Sequence, residues 1–197
     1  MIFTVAIDGP AAAGKGTIAR EVARALGFAH LDTGLLYRAV GLRALGGEDP
    51  VAAARALDVQ ALLDPRLREA DVAEAASRVA VLQEVRDELL LVQRLFARRE
   101  GGAVLDGRDV GTVVCPEAEA KLFVTATPEA RARRRAAEIG GSVEDTLAAI
   151  LLRDARDASR DAAPMVPAPD AVRLDTSGME VGEAVAAALA VVRARLP

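Results

Sequence analysis

The chain has 197 residues, 52% of them hydrophobic, and 29 acidic against 25 basic side chains leave a net charge of −4. That length and apolar content suit one domain with a sizeable core, and the net acidity argues against a general nucleic-acid binder, which carries a basic excess. The lone Cys115 excludes an intrachain disulfide, and the opening residues read as neither a secretory signal nor a bilayer span, so a cytoplasmic protein is expected.

Ile2 to Ile7 is a mostly apolar run that reads as a buried strand. It leads into Gly9-Pro10-Ala11-Ala12-Ala13-Gly14-Lys15-Gly16-Thr17. Strand, small-residue loop and helix in that order form a phosphate-binding loop: backbone N–H groups converge on phosphate oxygens, and Lys15 reaches the β- and γ-phosphates as a compact charge. By chance, Gly-x-x-x-x-Gly-Lys has an expected count of about 0.01 at this composition. Only two of the 25 basic residues are lysines, and one stands here. Gly16 separates Lys15 from the hydroxyl of Thr17, a departure from the usual Lys-Ser/Thr pair that holds Mg²⁺, so direct metal ligation by the loop is not expected.

Ile18, Val22 and Leu26 mark a helix over 15–26 that Gly27 ends. Phe28–Leu31 reads as a strand containing the sole histidine, His30, taken as structural, and a second helix runs to about Leu45. From Gly46 to Asp71, Gly and Pro punctuation predicts an irregular excursion. Val72–Arg99 reads as one long helix or two, stopped by Gly101-Gly102. Ala103–Asp106 is a short strand ending in a carboxylate, where such folds direct an acid toward Mg²⁺ and its waters. Lys121–Val124 is a further strand, Thr127 and Pro128 open a helix as N-cap and first residue, and Val172–Asp175 and Met179–Leu196 close the chain as strand and helix. Five strands alternating with helices predict an α/β fold with a doubly wound parallel sheet and sites at the carboxyl ends of its strands.

Two arginine groups stand out. Arg131, Arg133, Arg134 and Arg135 crowd one short helix before Gly140-Gly141, a candidate hinge. Arg153, Arg156, Asp157 and Arg160 share one face of a helix over 143–160: either a clamp for phosphate-bearing substrates or an exposed ion-pair ladder of Arg153, Asp157 and Asp161. With the loop, the clamp points to a phosphoryl transferase that closes over its substrates. A guanine-nucleotide switch is disfavoured, because its Asn-Lys-x-Asp motif needs an asparagine and the chain has none.

The ordered motifs resemble those of bacterial cytidylate kinases, within the nucleoside monophosphate kinases: Ile7-Asp8-Gly9-Pro10 through Thr17, Leu31-Asp32-Thr33-Gly34 with Tyr37-Arg38, Ala76-Ser77-Arg78-Val79-Ala80, Val85-Arg86, Gln93-Arg94, Asp106-Gly107-Arg108-Asp109-Val110-Gly111-Thr112-Val113-Val114, Arg153 to Arg160, and Asp170-Ala171 to Asp175-Thr176-Ser177. The resemblance implies an adenylate-kinase-like fold with a core (about 1–45, 101–128 and 165–197), a monophosphate-binding part (about 46–100) and a helical lid (about 129–164). It implies transfer from ATP, with Mg²⁺, to CMP or dCMP, by a monomer without nucleic-acid or membrane partners. Tyr37, Arg38 and Arg108 would hold the CMP phosphate; Ser77, Arg86, Asp109 and Arg160 would read the cytosine; Arg153 and Asp157 would meet the ribose or its neighbouring phosphate. Residues 9–17 and Arg131 would serve ATP, Lys15, Arg108, Arg153 and Asp106 would act at the transfer, and Asp106 would meet Mg²⁺ through water. A carboxylate such as Asp109 accepts from the amino group of cytosine and repels the carbonyl of uracil. Two departures are Cys115, where the family has Phe, and a shorter excursion at 46–71.

Overall fold

The computed structural model of the chain describes residues 1–158 and 165–197. In chain order its elements are β1 (Thr4–Asp8), α1 (Lys15–Leu26), β2 (Ala29–Asp32), α2 (Thr33–Leu45), α3 (Pro50–Arg55), 3-10 turns at Val59–Leu63 and Pro65–Arg68, α4 (Ala70–Val79) and α5 (Gln83–Ala97). There follow β3 (Ala103–Gly107), a π-helical turn at Val110–Val114, β4 (Ala120–Thr125), α6 (Pro128–Ile139), α7 (Val143–Ala158), β5 (Val172–Asp175) and α8 (Val181–Arg193). The chain divides into two units, 1–31 with 97–197, and 32–96.

In the first unit the sheet runs β2-β3-β1-β4-β5, all parallel. β1 lies between β3 and β4, with Ile7 opposite both Asp106 and Leu122. All five residues of β1 are buried, which is why a central parallel strand reads as a near-continuous apolar run. Phe3, Val5, Ile7, Leu122 and Val124 pack with Ile18 and Val22 of α1 and with Ala184, Ala188 and Val192 of α8. Residues four apart on each helix present one apolar stripe to the sheet. This core holds the carboxyl ends of β1, β3 and β4 side by side, so the loops that follow them project at one edge.

The second unit has its own core, in which Ala39, Leu67 and Val72 are buried against Leu35, Leu42 and Leu57. It begins at Asp32 and so includes α2. The excursion is more ordered than expected. Asp49 and Asp64 cap a helix and a 3-10 turn whose first residues are Pro50 and Pro65, so these prolines start elements instead of breaking them. The helical stretch 72–99 is two helices, with the break at 80–82.

Candidate active site

Between β1 and α1 the loop takes left-handed backbone angles at Ala12 (φ 60°) and Gly14 (φ 89°), and φ is 148° at Gly9. A Cβ on Gly9 would lie 2.0 Å from the carbonyl oxygen of Val124, so the close run of β4 requires glycine there. Around Gly14 the space is open and the backbone angle alone selects glycine. Helices α2, α3 and α6 receive side-chain caps from Asp32, Asp49 and Thr127, whereas α1 has no side-chain cap and no acid in its first turn. Its first N–H groups and partial positive charge are therefore directed at whatever anion enters the loop, with Lys15 as the first helical residue. The small residues and the bare helix end fit a polyphosphate.

Two carboxylates stand behind this loop. Asp8, at the end of β1, is buried; its Oδ1 accepts from the Val110 N–H at 2.8 Å and its Oδ2 from the Gly111 N–H at 2.7 Å. It thus ties the loop to the turn that follows β3. Burial pushes its carboxyl up to about 7 against the pull of those two N–H groups; Asp109 adds to the rise and Lys15 opposes it. Asp106, on β3, is also buried, and its Oδ1 lies 2.7 Å from Nε2 of His30 on β2. Its Oδ2 turns toward the start of α1, 3.6 Å from where a Cβ on Gly16 would stand. Among the described residues there is no group of three or more His, Cys, Asp or Glu side chains that could hold a metal unaided. One carboxylate oxygen aimed at the loop fits a metal carried in mainly by phosphates and water.

Around the loop the arginines are engaged. Buried Arg131 of α6 pairs with Asp154 of α7 at 3.1 and 2.5 Å and donates to the carbonyls of Ala126, at 3.1 Å, and of Ala11 in the loop, at 3.2 Å. Arg134 donates to Oγ1 of Thr176 at 3.0 Å, and that hydroxyl bonds to the Ala13 carbonyl at 3.0 Å. Arg108, just past β3, pairs with Asp157 of α7 at 2.9 Å, and Asp109 is buried at the start of the π-helical turn. Asp157, 1% exposed, thus faces an arginine from another element. Arg153 is half-buried on α7. Arg160, which the sequence reading places on that face, and Asp161, which it places in the alternative ladder, lie outside the described residues.

Within the unit 32–96, Tyr37 and Arg38 sit on α2, Ser77 on α4 and Arg86 on α5. The guanidinium of Arg86 lies 6.0 Å from the centre of the Tyr37 ring, and Arg38 donates to the Leu67 carbonyl at 2.6 Å. Ser77 Oγ is buried with no hydrogen-bond partner among the described residues. A buried hydroxyl in that state costs stability unless a ligand completes it, which fits a polar group of a bound base.

Four residues bonded into the surroundings of the loop carry no site role in the sequence reading: Asp8 and Thr176 stand only within motifs, Asp154 only among acids near the arginines, and His30 is read as structural. Their partners stand 23 to 163 residues away in the chain, beyond the reach of any local pattern.

The family profile described as cytidylate kinase matches residues 5–65 and 52–194. A cytidylate kinase of Cereibacter sphaeroides is 60% identical over 200 residues, covering 99% of this chain and 97% of its own. One of Xanthobacter autotrophicus is 58% identical, covering 98% of each chain, and one of Caulobacter vibrioides 53%, covering 98% of this chain and 96% of its own. Among solved structures, TT1252 from Thermus thermophilus superposes at a TM-score of 0.55 with 22% identity over 99% of this chain and 98% of that one, a likeness of fold.

Proposed function

The chain belongs to the cytidylate kinase family, whose members transfer a phosphoryl group to CMP or dCMP, and from that premise we propose the donor and the residue roles. The donor is ATP, and the products are ADP with CDP or dCDP. The observation that carries this is the uncapped start of α1 behind a loop of small residues, with Lys15 at its head.

Gly9 to Thr17 hold the polyphosphate, and Lys15 draws charge off the β- and γ-oxygens as the bond to the leaving oxygen lengthens. Mg²⁺, when bound, would supply further charge neutralisation, and Asp106 is the residue that would hold it, through water. Arg131 works on the ATP side, within a lid made by α6, α7 and the segment after them. Residues of about 46–100 are the monophosphate-binding part; Tyr37 and Arg38, with Arg108, hold the CMP phosphate. Ser77, Arg86, Asp109 and Arg160 read the base, and Arg153 and Asp157 bind the ribose or its neighbouring phosphate. Arg108 and Arg153 then serve the transfer itself by stabilising charge on the moving group. The enzyme acts as a monomer in the cytoplasm, in pyrimidine nucleotide metabolism.

A coupled ADP-release assay with CMP, dCMP, UMP and AMP tests the reading: CMP or dCMP has the highest kcat/KM, and a preference for UMP or AMP would overturn it. Asp109→Ala loses kcat/KM for CMP by more than for UMP, because the lost acceptor matters only where the base carries an amino donor. Equal losses would assign Asp109 a structural role.

A further inference from the structure

The sole histidine makes a contact that nothing above has used. His30 Nε2 is 2.7 Å from Asp106 Oδ1, with the Asp106 side chain 3% and the His30 side chain 19% exposed. If Oδ1 accepts in this contact, the hydrogen stands on Nε2 and is donated to it. The two residues lie on adjacent strands, β2 and β3, whose pairing sets the distance between them. Oδ1 is occupied by the imidazole, and Oδ2 faces the start of α1, 3.6 Å from a Cβ position on Gly16.

The direction in which an aspartate presents its second oxygen depends on the plane of its carboxyl, and a donor held on one oxygen helps to set that plane. Partners of this kind behind a metal-directed group cost about 10–100-fold in metal affinity when removed from direct ligands. We propose that His30 is a positioning residue for phosphoryl transfer: its Nε2–H holds Oδ1 of Asp106 so that Oδ2 is presented to the hydrated Mg²⁺ on the nucleotide. The inference rests on the reading of Asp106 given above, and the two can fail separately.

The test compares the parent enzyme with His30→Leu, His30→Gln and Asp106→Asn. ADP affinity is measured by calorimetry with Mg²⁺ and with a chelator, alongside KM for ATP and for CMP. The parent binds ADP more tightly with Mg²⁺. His30→Leu loses about tenfold of that metal-dependent gain, keeps metal-free ADP affinity, and raises KM for MgATP without changing KM for CMP. His30→Gln, which retains an amide donor, recovers most of the loss; a uniform loss of affinity with and without metal would mark a merely structural histidine and overturn the proposal. If Asp106→Asn keeps the metal-dependent gain, the role of Asp106 itself falls. If Asp106→Asn loses the gain and His30→Leu keeps it, the role of His30 falls alone. Should His30→Leu fail to fold, the ¹⁵N spectrum of the parent's only imidazole decides: an Nε2–H tautomer whose signals move when Mg²⁺ is added to the ADP complex supports the proposal, and an Nδ1–H tautomer or unmoved signals overturn it.

Discussion

Gly41→Ala tests whether backbone contact between two helices controls Ser77, the residue proposed above to read the base. Gly41 lies mid-helix in α2, where alanine would ordinarily stabilise by about 0.8–1 kcal/mol. A Cβ there would meet Ala76 N at 2.7 Å, Ala75 C at 3.0 Å and Ala75 Cβ at 3.2 Å, whereas ordinary contact begins at 3.4 Å. Two of these atoms are backbone, so no side-chain rotation relieves the overlap, and α4 must move by roughly 0.7 Å, the shortfall in the closest contact. Overpacking of a tight contact costs typically about 1–3 kcal/mol, and a rigid backbone neighbour puts this site toward the upper part of that range. The net expectation is a loss of about 1–2 kcal/mol, equivalent to a fall in Tm of about 2–8 °C for a chain of this size. Ala76 directly precedes Ser77, so the displaced helix carries the Ser77 hydroxyl with it and KM for CMP rises while KM for ATP holds. Thermal or urea unfolding measures the first effect and steady-state kinetics the second. An unchanged or raised Tm would refute the close-contact argument, and an unchanged KM for CMP would sever Ser77 from the α2–α4 packing.

Asp8 supplies a pH test. Its folded carboxyl is raised from 3.8 to about 7, so the folded state holds this proton more tightly than the unfolded one. The resulting stabilisation is complete below pH 3.8 and is lost as pH rises through about 7, at up to about 1.4 kcal/mol per pH unit. Asp8→Asn removes that slope, so the stability difference between parent and variant changes across pH 4–7; parallel curves would rule out burial as the dominant influence on Asp8. Asp154→Ala leaves the guanidinium of Arg131, 4% exposed, without the carboxylate it pairs with at 2.5 Å. The expected loss is about 1–3 kcal/mol, with a raised KM for ATP because Arg131 also holds the Ala11 carbonyl; a variant of parental stability and KM would show that the pair contributes to neither.

Local chemistry made much of this protein legible before any coordinates. Helix α1 has the bounds its apolar spacing and Gly27 predict, Thr127 and Pro128 open α6 as cap and first residue, and β5 spans Val172–Asp175 as read. Each signal lies within a few residues of what it determines: a side-chain period, a cap that bonds its own helix, a glycine that takes a left-handed angle. The excursion at 46–71 resisted the same reading because proline is compatible with both a break and a helix start, and only the aspartate beside it, once capping, decides between them. The break at 80–82 was hidden because the apolar spacing continues across it.

The expectation of a phosphate site at Lys15 and its glycines rests on nine consecutive residues, since a loop that would bind with its own backbone is encoded where it stands. Which groups stand behind that loop was decided by tertiary structure alone. Parallel pairing beside β1 brings up Asp106, with His30 at its back, and the turn after β3 closes over Asp8. The packing of α6 and α7 sets Asp154 against Arg131, and Arg108 reaches Asp157 of α7. Strand pairing and helix packing join residues far apart in the chain through buried contacts that no stretch of sequence contains, so the identity of the loop was written locally and the setting of its carboxylates was not.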